Sequence, residues 1–387
     1  MKILFTNNTL KDRAGSELYV RDLASALARE GHEVAAYSNI VGDVAEEISC
    51  FGIPVVADVA DVPFTPDIIH GHHHLELMTA LLQFPGVPAV NFCHGFVPWQ
   101  ELPLAHPRIM EYVAVDEPSY SRCIELGIPA ESLRLMLNFV DTDRFRPRGP
   151  LPASPKRALV FSNQASEDNY LAVVRAACDS AGLELDARGV GCGMPEKWPE
   201  QILGRYDIVF CKARCALEAL AVGTAVILCD VDGVGPMVTS DGMDALRLRN
   251  FGRTTLVVPP SPEVLLERIR SYDADDAARV SARICREASL KKALPAIMGM
   301  YRTAVEKMSE KAPDPVCESL AGARYIRMIS EMIKVHGMVM PYDHNAHKPR
   351  MRLDWSGKPA AGEGARQDPI PRKKITHRIM DFLKKMI

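Results

Sequence analysis

Glu218 stands in the run Leu217-Glu218-Ala219-Leu220-Ala221, where its neighbours are all small or apolar. A charge set in such a run needs a partner. A carboxylate can take both hydroxyls of a cis-diol at once; the plainer alternative is an exposed helix glutamate. Lys212 and Arg214 put two positive charges at the start of the same helix, around Ala213. Cations beside free helix-start amides suit a phosphate group, although two solvated surface residues would read the same way. Gly15-Ser16-Glu17 opens another helix after a polar loop, 7–14. Unpaired N–H groups and partial positive charge gather there, and Gly15 lets a ligand approach the backbone. Alternatively Ser16 simply caps that helix and Glu17 favours its start. His70, His72, His73 and His74 follow one apolar run, and His94-Gly95 follows the next. His72 or Glu76 could do acid–base work on an acceptor hydroxyl. His94 could face a ligand or cap its strand end. A zinc site from His72 and His74 would lack a clear third ligand, so no metal is expected.

The elements that must hold these residues alternate strand and helix. Lys2–Thr6 is a short apolar run fit for a buried parallel strand. The helix from Gly15 carries Leu18, Leu23, Leu27 and Ala28 on one face and ends at Gly31-His32. Further strands are read at 34–37, 55–56, 68–69, 90–92, 113–115 and 133–137. Four prolines and a glycine in 147–155 mark a domain boundary. The rhythm then restarts with strands at 157–161, 183–188, 207–210, 225–229 and 255–258. Helices are expected at 168–181, from Ala213, at 262–272 and as one piece at 277–307. Two doubly wound parallel sheets follow. Their strand ends at His70–His74 and His94 form the edge where such sheets bind ligands. Gly233-Val234-Gly235-Pro236-Met237 reads as a glycine-rich loop facing a ligand, or as an ordinary turn.

With 387 residues and 47% hydrophobic content, two domains with full cores are expected, over 1–148 and 149–310, with an extension over 311–387. A net charge of −3 argues against a general nucleic-acid binder. No run of about 18 apolar residues suggests a membrane span. The N-terminus turns polar too soon for a secretory signal, and the ten scattered cysteines suit reduced thiols in a cytoplasmic protein. Gly189-Val190-Gly191-Cys192-Gly193 lacks the third glycine of a dinucleotide fingerprint, which argues against a dehydrogenase. In the extension, 317–335 suits an amphipathic helix and 342–372 reads as poorly ordered. Lys373–Ile387 forms a basic amphipathic helix by pattern, able to lie on an anionic membrane surface or to pack on protein.

Three stretches together resemble glycosyltransferase family 4. Gly15-Ser16-Glu17-Leu18 with Gly31-His32-Glu33-Val34 looks like the family's Gly-Gly-x-Glu loop and first helix. Asn138-Phe139-Val140-Asp141 with Phe145 is similar to its Asn-Gly-Val-Asp-x-x-x-Phe signature. Leu217 to Val226 looks like its donor-binding Glu-Ala element. The resemblance spans roughly residues 1–305. It implies a GT-B fold, with two Rossmann-like domains facing across a cleft, and a retaining, metal-independent transfer from a nucleoside-diphosphate sugar. The acceptor would be a glycan or a lipid-linked envelope polysaccharide, and no cofactor beyond the co-substrate would be needed. It implies that Glu218 takes the donor ribose and that His94 lies near the sugar, bonding a hydroxyl or stabilising an oxocarbenium-like transition state. The chain departs from the pattern in two places. Phe210 stands where the family has a second glutamate, and Ser162-Asn163-Gln164 replaces its Arg and Lys pair. Lys212 and Arg214, with the amides of 213–216, would then hold the diphosphate. Gly233 and Gly235, and a loop at Asn250-Phe251-Gly252, would face the donor. The loss at Phe210 leaves a second reading, a weakly catalytic nucleotide-sugar-binding partner of another transferase. A nucleotide-sugar epimerase would need extra carboxylates in the first domain's cleft.

Overall fold

The computed structural model describes residues 1–339. The stretches 342–372 and 373–387 lie outside the described residues.

The first lobe begins with β1 (Lys2–Thr6), α1 (Gly15–Arg29), β2 (Glu33–Tyr37), α2 (Asp43–Ser49) and β3 (Val55–Val56). It continues with β4 (Ile68–His72), α3 (His74–Gln83), β5 (Ala89–Cys93), β6 (Ile109–Ala114), α4 (Glu117–Glu125) and β7 (Leu133–Leu135). The strands form one parallel sheet in the order β3-β2-β1-β4-β5-β6-β7. Alternate residues of β1 feed opposite faces: Ile3 and Phe5 join one core, Leu4 the other. Burial on both faces is why these strands read as unbroken apolar runs.

The second lobe holds β8 (Arg157–Phe161), α5 (Tyr170–Ala181), β9 (Glu184–Arg188), α6 (Pro199–Ile202), β10 (Ile208–Cys211) and α7 (Ala213–Val222). Then come β11 (Ala225–Asp230), β12 (Gly233–Met237), α8 (Met243–Leu248), α9 (Pro262–Arg270) and α10 (Ala274–Glu287). The strand order is β12-β11-β10-β8-β9. The sheet is parallel except at its edge, where β12 pairs antiparallel with β11. The presumed glycine-rich loop at 233–237 is that edge strand, where Pro236 is tolerated. The strand expected at 255–258 is instead a short 3-10 turn, Arg253–Thr255, followed by one bridge from Val258 to Val234. The two glycines permit this contact. A Cβ at Gly235 would fall 2.7 Å from the Thr255 carbonyl oxygen, and one at Gly233 2.9 Å from that of Val258.

The long helix expected at 277–307 is two helices. α10 stops at Glu287, and Ser289 caps α11 (Leu290–Glu310) by accepting the Lys292 N–H at 3.3 Å. Here the chain returns to the first lobe: the Val140 N–H donates to the Ala288 carbonyl at 2.8 Å, and the Leu290 N–H to that of Val140 at 2.9 Å. Leu294, Ile297, Met298, Tyr301 and Ala304 of α11 then join the core of Ile3, Phe5, Leu23 and Leu27. So residues assigned by sequence to the second domain pack in the first lobe. α12 (Pro315–Val339) follows, bringing Tyr325, Met328 and Ile329 against the opposite face of the same sheet. Glu318 of α12 pairs with the buried Arg108 at 2.8 Å. Among the described residues, no helix is long and apolar enough to cross a membrane.

Candidate functional site

The C-terminal ends of the strands of both sheets border a cavity of about 380 Å³. Its first-lobe wall includes Asn8, Gly15, Ser16, Glu17, Tyr19, His73, His94 and Glu101. Asn138, Phe139, Ala213, Arg214 and Asn250 complete it. Of the residues that the sequence marks as candidates, Gly15, Ser16, His94 and Arg214 meet at this one cavity.

Two helix starts meet here. α1 has Ala14 at its N-cap and α7 has Lys212, and neither receives a side-chain capping bond. Ser16 is therefore not the cap of α1; its hydroxyl lies 3.1 Å from a Glu17 carboxylate oxygen. The Gly15, Ser16, Arg214 and Cys215 amides are left for an external partner, and both dipoles favour an anion there.

Backbone strain gathers at the same place. Among the described residues, four non-glycines have positive φ: His73 at 55°, Ala213 at 50°, Asn250 at 55° and Phe251 at 50°. Three of them line the cavity, and the Phe251 carbonyl accepts the Ala213 N–H at 2.8 Å. Conformations of this kind persist only where surrounding structure imposes them, and they cluster at functional sites. Asn250 also accepts a bond from Asn138 Nδ2 at 3.1 Å, linking the end of the first lobe to the second.

Arg214 is the cation on this wall. Its Nε donates to Glu218 Oε1 at 2.8 Å, and its Nη2 to Asp22 Oδ2 on α1. Asp22 also meets Arg21 at 2.6 Å and Arg144 at 3.3 Å, and Arg144 reaches Glu200 of α6 at 3.0 Å. Burial alone would raise the Asp22 carboxyl; Arg214, Arg21 and Arg144 outweigh it and hold the group below its usual range. Burial pushes Glu218 up, against the pull of Arg214. Lys212 is placed differently. It pairs with Asp230 at 2.8 Å and Asp232 at 3.2 Å, and it is not part of the cavity wall.

The histidines divide in the same way. β4 runs on through His72, so that residue sits within the sheet and is fully buried. Its Nε2 lies 2.8 Å from that of His70, which bonds Tyr301 of α11. His73 turns the chain into α3 and faces the cavity, with Nδ1 accepting the Asn8 N–H at 3.1 Å and Nε2 3.2 Å from Glu101 Oε1. Burial would lower His73, but Glu101 raises it overall. His74 and Glu76 belong to α3 behind the wall; His74 Nδ1 meets the Tyr325 hydroxyl at 2.9 Å. Thus His72, His74 and Glu76 do not reach the cavity, and His72 and His74 take different partners. His94 does reach it, stacked on His72 at 4.4 Å between centroids and edge-on to Tyr19 at 4.8 Å. Burial brings His94 down to about 4, so its ring is neutral near pH 7. The His94 Nε2 has no protein partner.

Glu101, which the sequence did not single out, holds this wall together. One oxygen meets His73 and the other accepts the His94 N–H at 3.2 Å. It sits on a single 3-10 turn, Trp99–Glu101, between prolines, where no periodicity marks it. Asp22 was also missed; it stands on α1 between Arg21 and Leu23.

Other flagged residues have structural partners. Phe210 is fully buried in the core of the second sheet. Gly189 and Gly191 let their loop lie on the turn after β8: a Cβ would fall 1.9 Å from the Ser162 carbonyl oxygen and 2.5 Å from that of Ala165. In that turn, Asn163 donates across to the Arg13 carbonyl at 3.2 Å.

Two Rossmann-like lobes with strand ends facing one cleft define the GT-B fold. Solved structures bear this out. A glycosyltransferase from Rickettsia africae superimposes with a TM-score of 0.58 at 13% identity, covering 79% of this chain and 98% of its own. HepE from Anabaena, in complex with UDP, gives 0.56 at 16% identity, covering 80% and 99%. Sucrose-phosphate synthase from Thermosynechococcus elongatus gives 0.55 at 15%, covering 78% and 99%. At such identities the likeness is one of fold. No protein-family model and no curated protein sequence matches the chain.

Proposed function

We propose that this protein is a glycosyltransferase that moves a sugar from a nucleoside-diphosphate donor to a hydroxyl acceptor. The observation that carries the reading is the meeting of two uncapped helix starts and Arg214 in the cleft of a GT-B fold. The amides of Gly15, Ser16, Arg214 and Cys215 and the Arg214 guanidinium take the diphosphate. Together they stabilise the charge that develops on the leaving nucleotide. Neutral His94 faces the donor sugar and accepts or gives a hydrogen bond through Nε2. The first-lobe wall receives the acceptor, which is a glycan or a lipid-linked envelope polysaccharide. Family resemblance supports retention of configuration and chemistry without metal or cofactor. UDP and UDP-glucose bound to HepE support the donor class. We place the enzyme in the cytoplasm, with contact to the inner membrane face through Lys373–Ile387. Closure of the lobes would exclude water and limit donor hydrolysis.

Incubation with UDP-, GDP- and ADP-sugars and a panel of hydroxyl acceptors tests the reading. Release of nucleoside diphosphate coupled to formation of a glycosylated product is expected with one donor. Binding of a donor with no product from any acceptor would favour the second reading, a nucleotide-sugar-binding partner. That reading draws on buried Phe210, which leaves no carboxylate where the resemblance expects one.

A further inference from the structure

Glu218 is the residue that sequence assigns to the donor ribose, yet its surroundings point elsewhere. Its side chain is only 4% exposed, and Oε1 is engaged by Arg214 Nε. Arg214 is part of the cavity wall and Glu218 is not. On the far side of the guanidinium, Asp22 takes Nη2 from the first lobe. Asp22 too is only 4% exposed and lies off the cavity wall. Nη1 has no partner among the described residues. A guanidinium held on two nitrogens by buried carboxylates has little freedom left, because its fork is planar and rigid. The third nitrogen is then fixed in direction, on a wall shared with the open first turns of α1 and α7.

We infer that Asp22 and Glu218 are positioning residues for Arg214, and that this clamp, one carboxylate from each lobe, aims Nη1 at the donor diphosphate. The inference rests on the donor reading above and assigns Glu218 a different task from ribose binding. It makes the phosphate site a joint product of the lobes. The cation belongs to the second lobe, but its orientation needs Asp22 of the first. Neither carboxylate touches the ligand. Each removes a freedom from Arg214 that binding would otherwise have to remove.

The test is calorimetric titration of the full chain with UDP and uridine, GDP and guanosine, and ADP and adenosine. If the wild-type protein binds none of these, the donor reading fails and the clamp falls with it. If one pair binds, D22N and E218Q are titrated with that pair. Weakening of the diphosphate by roughly tenfold or more is expected, with the nucleoside affinity unchanged within twofold. Retained nucleoside binding also reports that the variants fold. In an R214Q background, D22N should then cause no further loss of diphosphate affinity, since its effect runs through Arg214. A tenfold loss of the nucleoside in E218Q would return Glu218 to the ribose and overturn the inference. So would unchanged diphosphate binding in both variants, or a D22N effect that persists in R214Q.

Discussion

The two lobes present cleft edges of opposite character. At the first lobe's edge, His94 lines the cavity with its Nε2 buried and without a protein partner. At the second lobe's edge the charges are matched, Arg214 with Glu218 and Asp22, Lys212 with Asp230 and Asp232. A buried polar group without a partner costs about 1–3 kcal/mol unless something completes it. A matched charge costs less, but it is locked in place. One edge therefore accommodates hydrogen-bonding groups, while the other presents a fixed field. In the proposed reaction, the first suits a hydroxyl-rich acceptor and sugar, and the second suits a diphosphate of constant charge.

The strongest way to break this contrast is R214A. It strips the cation and leaves Asp22 and Glu218 buried together. Losing one partner of such a network costs about 3–5 kcal/mol, so chemical denaturation should show a large fall in stability. Nucleoside-diphosphate affinity should fall roughly 100-fold by calorimetry, as expected for a lost charge-assisted pair. An R214A protein that keeps both would remove the fixed field from the account.

G189A comes next. Its new methyl would collide with the Ser162 backbone, and φ at this position is 146°. A loss of about 3 kcal/mol or more is expected by denaturation, from overpacking and backbone strain together. A neutral result would show that this loop is not held as described.

The pH dependence sharpens the first lobe's side. Burial lowers His74, His94 and His106, each to about 4. The unfolded chain binds these protons nearer the ordinary value of about 6.5. Between those values it holds more protons than the folded chain, so this contribution is complete above about 6.5 and is lost as pH falls toward 4. His73 works the other way: its pKa is raised, and its contribution fades as pH rises through that value. Burial lowers His32, His70 and His72 as well, so six histidines against one predict a net fall of a few kcal/mol on acidification. Denaturation midpoints measured from pH 7.5 to pH 4.5 would check this; a flat profile would deny the buried neutral histidines.

Much of the fold was legible, because strands buried on both faces appear as short apolar runs between helical periods. α11 was not, since its periodicity is local and says nothing of which lobe it packs on. β12 was hidden by Gly233, Gly235 and Pro236, which spell a turn but fit an edge strand against a close neighbour. The site was legible in part. Glu218, set among apolar neighbours, does have a partner, and it is Arg214, four residues before it. Asp22 escaped because Arg21 beside it looks like a sufficient local partner, whereas Arg214 lies 192 residues away. Glu101 had no signal, being fixed only by where the folded chain puts His73 and the His94 amide.

K212A is the smallest change and divides the two cations of α7. Lys212 is half-buried against Asp230 and Asp232, so a loss of about 1 kcal/mol is expected by denaturation. Nucleoside-diphosphate affinity should move less than threefold by calorimetry. A loss as large as that of R214A would restore Lys212 to the phosphate site.

A crystal structure with the nucleoside diphosphate that binds tightest would show where the phosphates sit. The diphosphate is expected within hydrogen-bonding distance of Arg214 Nη1, at the first turns of α1 and α7. A diphosphate held by Lys212, or one lying outside the cleft, would contradict that placement.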